Sequence, residues 1–158
     1  MNDAHLHIIL VHIPIVLVPA GAVMLLVSLA RRSQAASTAA LSLLAVATIF
    51  AVPAFLLGEG AEELVEHLPG ISESLIENHE EAADVALWLT VATGIASGAS
   101  LLGLLLRQNW ARHSRLVALL LAIVASASLS YAGSEGGKIR HPEAYATSEA
   151  GSQDNDDD

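Results

Sequence analysis

The chain has 158 residues, of which 53% are apolar (AVILMFWYC) and 15% charged, with a formal net charge of −10 and a mean hydropathy of +0.53. That balance excludes a disordered or collagen-like chain. With no cysteine, disulfides, thiolate metal ligands and Cys-bound iron–sulfur clusters are excluded too, so redox chemistry would need histidine and a borrowed cofactor.

Charged residues are missing from four runs: Ala4 to Ala30, Ser33 to Gly58, Val85 to Leu106 and Leu116 to Ser134. Each run is long enough to cross about 30 Å of hydrocarbon at about 1.5 Å per helical residue. The expected fold is therefore all-α: an integral-membrane four-helix bundle over 1–141, with spans at about 8–30, 36–57, 83–106 and 115–133. The first run is no cleavable signal, because Asp3 is its only charged N-terminal residue and no A-x-A site precedes a soluble domain. Pro14 and Pro19 fall within it and remove two backbone donors, which predicts a loosened or kinked helix.

The second span has Pro53 near its end and stops at Gly58. Behind it, GEGAEELVEHLPG sets Ala61, Leu64, Val65 and Leu68 against Glu59, Glu62, Glu63 and Glu66. This predicts a short amphipathic surface helix over about 59–68. Ser72 is placed to cap a long third helix with acids in its first turns. Its helical periodicity separates Glu73, Glu77, Glu80, Glu81 and Asp84 from an inward stripe of Leu75, Ile76, His79, Ala83, Ala86, Thr90, Gly94 and Ser97. The small residues of that stripe, and Ala118, Ala122, Ala125, Ser126 and Gly133 in the fourth span, allow close helix packing. The acidic tail, 142–158, has no apolar period and is expected to be disordered. No internal repeat beyond the pairing of helices is visible.

Arg31 and Arg32 separate the first two runs, and Arg107, Arg112 and Arg115 separate the last two. Basic residues in short loops stay cytoplasmic, so both termini and the acidic connector are assigned to the outer, periplasmic side of a bacterial inner membrane. All 17 acids and six of the seven histidines then share that side. His5 and His113 read as solvated residues, and His67 as an i,i+4 partner of Glu63.

Histidines at membrane depth are candidates for function, which singles out His12 and His79. Two imidazoles from separate helices suit a b-type haem, and His12 with His79 is the favoured axial pair, with His7 and His141 in reserve. His7 and His12 are five residues apart, about 140° around a helix, and cannot both grip one ion. A second reading joins His7, His12 and His79 with Glu62 or Glu80 in a zinc, iron or copper site. A third, histidine among acids, would sense or carry protons. No HExxH, GxxxxGKS/T, GxSxG or GxGxxG is present, and the negative charge argues against nucleic-acid binding.

HIILVHIPIVL, His7 to Leu17, resembles the HPLLVHFPIAL opening of a bacterial family of four-span membrane proteins classed as a domain of unknown function. Gly58 and Glu59 after the second helix, His79-x-x-Ala82 in the third, and Gly136, Gly137 and His141 after the fourth follow in the same order. Ile8 stands where proline is usual, Ile13 where phenylalanine is usual, and the step from Gly-Gly to histidine is shorter. The resemblance implies site positions at His7, His12, His79 and His141. It also implies association with Rieske and cytochrome components. The resulting expectation is a membrane electron-transfer subunit, more a carrier than an enzyme, working with other membrane subunits, a second copy of itself, or a basic cytochrome-type partner at the outer face. The alternative is a cofactor-free accessory or assembly subunit.

Overall fold

The computed structural model describes residues 2–66, 71–141 and 145. It contains α1 (Asp3–Ala30), α2 (Gln34–Leu56), α3 (Gly58–Val65), α4 (Glu73–Leu105) and α5 (Ala111–Arg140), and no strand among the described residues. Four helical segments, Asp3–Ala30, Gln34–Leu64, Glu73–Leu105 and Ala111–Arg140, are long and apolar enough to cross a membrane. They overhang the charge-free runs, because capping and polar residues extend each helix into the interfacial region. Asn2 accepts from His5 N–H at the start of α1, and Ser33 accepts from Ala36 N–H at the start of α2. Ser72 occupies the cap position of α4 but makes no capping bond; its hydroxyl pairs with that of Ser74 at 2.8 Å.

The prolines do not interrupt α1, which is assigned as one helix through Pro14 and Pro19. Of the expected surface helix His67 and Leu68 lie outside the described residues, as does the acidic tail apart from residue 145.

α1 packs against α2, α2 against α4, α4 against α5, and α5 against α1, which makes a closed up-and-down bundle with α1 and α4 on one diagonal. The bundle is two helical hairpins, α1–α2 and α4–α5. Their tight turns are built alike: Arg32 and Arg107 both have φ 53°, and each turn is closed by a 6→1 bond, from Ser33 N–H to Ser28 O and from Gln108 N–H to Gly103 O, both 2.9 Å.

The bundle's interior is made of small residues. Ala22, Ala40, Ala47, Ala86, Ala118, Ala122 and Ala125 are buried with Val18, Leu25, Leu41 and Leu44, alongside Ser28, Ser37, Thr90, Thr93, Ser97 and Ser100. Large apolar side chains such as Ile49, Trp88, Ile95, Leu105 and Leu120 stand outward. Large apolar groups outside and small or hydroxylated ones within is the pattern expected when lipid is the solvent. Several buried hydroxyls bond back to their own helix, as Thr90 does to Ala86 O (2.7 Å) and Ser100 to Ala96 O (2.7 Å). Thr48 bonds across to Thr90 O at 2.9 Å, which ties α2 to α4. Gly94 permits that approach, since a Cβ there would collide with the Thr48 side chain.

Candidate functional site

The site lies at the end of the bundle where α1 and α4 begin and α2 and α5 finish. His7 sits one turn into α1, half-buried, and its Nδ1–H donates to Ala54 O of α2 at 2.7 Å. Ala54 is in the last turn of α2, whose carbonyls lack intrahelical donors, so the imidazole satisfies a helix end. His79 sits in the second turn of α4, also half-buried, and its Nδ1–H donates to Ala132 O of α5 at 2.9 Å.

The two hairpins repeat the arrangement. In each, a histidine on the first helix donates to an alanine carbonyl on the second, and the glycine four residues beyond that alanine lies beside the ring. A Cβ at Gly58 would stand 3.7 Å from His7 Cε1, and one at Gly136 3.0 Å from His79 Cε1. A carbonyl only accepts, so in both neutral rings the proton is on Nδ1 and the lone pair on Nε2. The rings come from diagonally opposed helices at the same end of the bundle.

Acids surround this pair. α3 packs against α1, with Gly60 so close to Asp3 that a Cβ there would meet the carboxylate at 2.6 Å. On α3, beyond the charge-free stretch that ends at Gly58 and so outside the membrane-spanning segments, the Glu62 carboxyl shares a hydrogen bond with that of Glu80 on α4. That bond, with some loss of solvent and the adjacent like charge, raises the Glu62 pKa above the ordinary value. α3 is the short helix expected between the second and third spans; on it Glu62 is half-buried and meets Glu80, and Leu64 is 48% exposed. Glu135 on α5 is buried and accepts from Lys138 Nζ at 2.8 Å.

The remaining candidates sit differently. His12 is exposed on the flank of α1, with its Nδ1–H turned back to Ile8 O of the same helix. His141 caps the end of α5 through its backbone N–H to Gly137 O, and its side chain is exposed. His5 and His113 are exposed, as are Glu73, Glu77, Glu81 and Asp84 on the outward stripe of α4. Among the described residues no group of three or more histidine, aspartate or glutamate side chains is arranged to hold a metal ion. The structure thus places His7 and His79 half-buried at the same end of the bundle and leaves His12 exposed.

The sequence picked out Gly58 and Gly136 through the family resemblance but not their place beside the rings, and it did not pick out Ala54 and Ala132, whose carbonyls seat them. The signal was there as Ala-x-x-x-Gly at the end of both return helices, Ala54 to Gly58 and Ala132 to Gly136. No curated protein and no solved structure matches the chain significantly. Residues 4–147, nearly the whole chain, match the family described as "Predicted membrane protein (DUF2231)", and four apolar helices in a bundle agree with that description. The protein belongs to this family of predicted membrane proteins.

Proposed function

We propose that the chain is a membrane electron-transfer subunit that holds a b-type haem between His7 and His79. The observation that carries this reading is the paired anchoring of the two rings. Each Nδ1–H is fixed on a carbonyl of the neighbouring helix, 2.7 and 2.9 Å away, which orients the ring and leaves Nε2 as a ligand. This is the outer-shell support that metal-bound histidines characteristically have. Two imidazoles are all that a haem asks of the protein, because the porphyrin supplies the other four nitrogens. A bound haem would supply one-electron chemistry, with its potential set by burial and by nearby Glu62, Glu80 and Glu135. Glycine beside each ring keeps bulk away from the ligands.

On this reading His7 replaces His12 as partner of His79, because His12 points outward and spends its Nδ1–H on its own helix. His141 remains a reserve ligand. The arginine-bearing turns favour the cytoplasm of a bacterial inner membrane, with both termini and the acidic histidine end in the periplasm, where a basic cytochrome would be attracted. A zinc, iron or copper site is the alternative cofactor, drawing on His7, His79 and the Glu62/Glu80 pair, with His12 as a further candidate.

Optical spectroscopy on the full chain purified in mild detergent tests the reading. A Soret band and a reduced α-band near the positions of b-type haem are expected, and a preparation that stays colourless after haem supplementation removes it. In the second reading, a cofactor-free accessory subunit, the same two imidazoles are clips that hold each hairpin's arms together. The replacements His7→Asn and His79→Asn separate the two: an amide can still donate to the carbonyl but ligates haem poorly. A pure clip keeps its assembly into the larger complex and its electron flux, whereas a ligand loses flux with assembly intact.

A further inference from the structure

At the end opposite the histidines, the second hairpin turn and the start of α5 line an open cavity of about 510 Å³. Arg107, Arg112 and Arg115 line it, with Gln34, Gln108 and Asn109. No acid occurs between residues 4 and 58 or between 85 and 134, so neither hairpin supplies a counter-charge here. Arg115 is held in place: its Nε donates to Ala111 O at 3.1 Å and its Nη1 to Ser37 Oγ at 3.3 Å, and Ser37 in turn pairs with Ser28 at 2.9 Å. These bonds use two of its N–H donors and leave the rest available.

Arg107 sits at φ 53°, a left-handed position that glycine takes without strain. A guanidinium is kept where the backbone would favour no side chain at all. The cavity lies where the exposed apolar band ends, next to Leu102, Leu105, Leu106 and Trp110, which is the depth of lipid headgroups.

We propose that this cavity binds a phosphate group, with the three arginines as fork-shaped donors. Basic pockets among helix ends take lipid phosphates by the same chemistry. The site is independent of the haem reading, since it uses none of the same residues.

The test uses the full chain, stripped of lipid in a neutral detergent, and thermal unfolding read with increasing phosphatidylglycerol, phosphatidylcholine or inorganic phosphate. Saturable stabilisation is expected with phosphatidylglycerol, at least tenfold tighter than with phosphatidylcholine. Arg107→Gly removes the guanidinium at a position glycine suits, so it should fold as well as the wild type and bind at least tenfold more weakly; Arg112→Gln should bind more weakly too. Arg31→Gln, outside the cavity, should bind normally. Phosphatidylglycerol acting where inorganic phosphate does not identifies a lipid headgroup as ligand, and equal action by the free ion identifies soluble phosphate. Equal response to both lipids with none to inorganic phosphate, or wild-type binding by both cavity variants, overturns the proposal.

Discussion

An imidazole one turn into a helix can point inward or outward, and for His7 and His12 that choice decides the site. Their separation around α1 means that only one of them faces the bundle, and the structure shows His7 bonded across to α2 and His12 turned back on Ile8. Sequence periodicity predicted His79 correctly as inward, because a long stripe of small residues runs below it. α1 has no such guide, being apolar on all sides, so depth alone favoured His12. Two other residues give direct tests of the packing. Ser97 Oγ is buried without a hydrogen-bond partner among the described residues. Ser97→Ala is therefore expected to be neutral or to stabilise the protein by up to about 1 kcal/mol, since it removes an unpaired hydroxyl. Gly94→Leu, by contrast, drives bulk into Thr48 and the bond to Thr90 O. It is expected to destabilise by about 1–3 kcal/mol. Both are read from reversible unfolding in mixed micelles, and a stabilised Gly94→Leu would refute the close contact of α2 and α4.

The four spans were legible as elements because lipid demands long charge-free helices, and the runs in the sequence mark them without reference to tertiary contacts. The matching hairpin turns were not legible, because they share a backbone conformation and a hydrogen-bond pattern, with little sequence in common beyond an arginine. At Arg32 the left-handed conformation costs about 1 kcal/mol for a residue with a Cβ. Arg32→Gly should therefore stabilise the α1–α2 hairpin by roughly 0.5 kcal/mol, after the larger entropy of unfolded glycine offsets part of the gain. A loss of stability would point to a contact made by the Arg32 side chain.

α3 makes a different prediction, because its link to α4 depends on a shared proton. The Glu62 pKa is raised in the folded protein, so the folded state binds more protons and the link is strongest at low pH. It weakens as pH rises from the ordinary glutamate value of 4.5 through the raised one. Hydrogen exchange in 58–65 should increase over that window. Glu62→Gln, which keeps a donor at every pH, should abolish the change, and an unchanged pH response in that variant would count against the Glu62–Glu80 bond.

As a whole, the molecule is a bundle with large apolar residues outside, small ones inside, acidic and histidine-bearing segments at one end and the arginine-bearing turns at the other. That polarity was readable from the sequence, since it follows from which loops carry which charges. Its direction across the membrane is testable with cysteines at Ser33 and Gln108, both in arginine-bearing turns. An impermeant reagent added from outside should fail to label them in intact cells and should label them after permeabilisation. The central claim, that the two hairpins jointly hold a haem, is tested most directly by haem content and reduced-minus-oxidised spectra of four purified proteins: wild type, His7→Ala, His79→Ala and His12→Ala. The account predicts stoichiometric haem with a low-spin spectrum in the wild type and in His12→Ala, and its loss from both His7→Ala and His79→Ala while their helical circular dichroism persists. A wild type that binds no haem, or full haem retained in His7→Ala and His79→Ala, would contradict it.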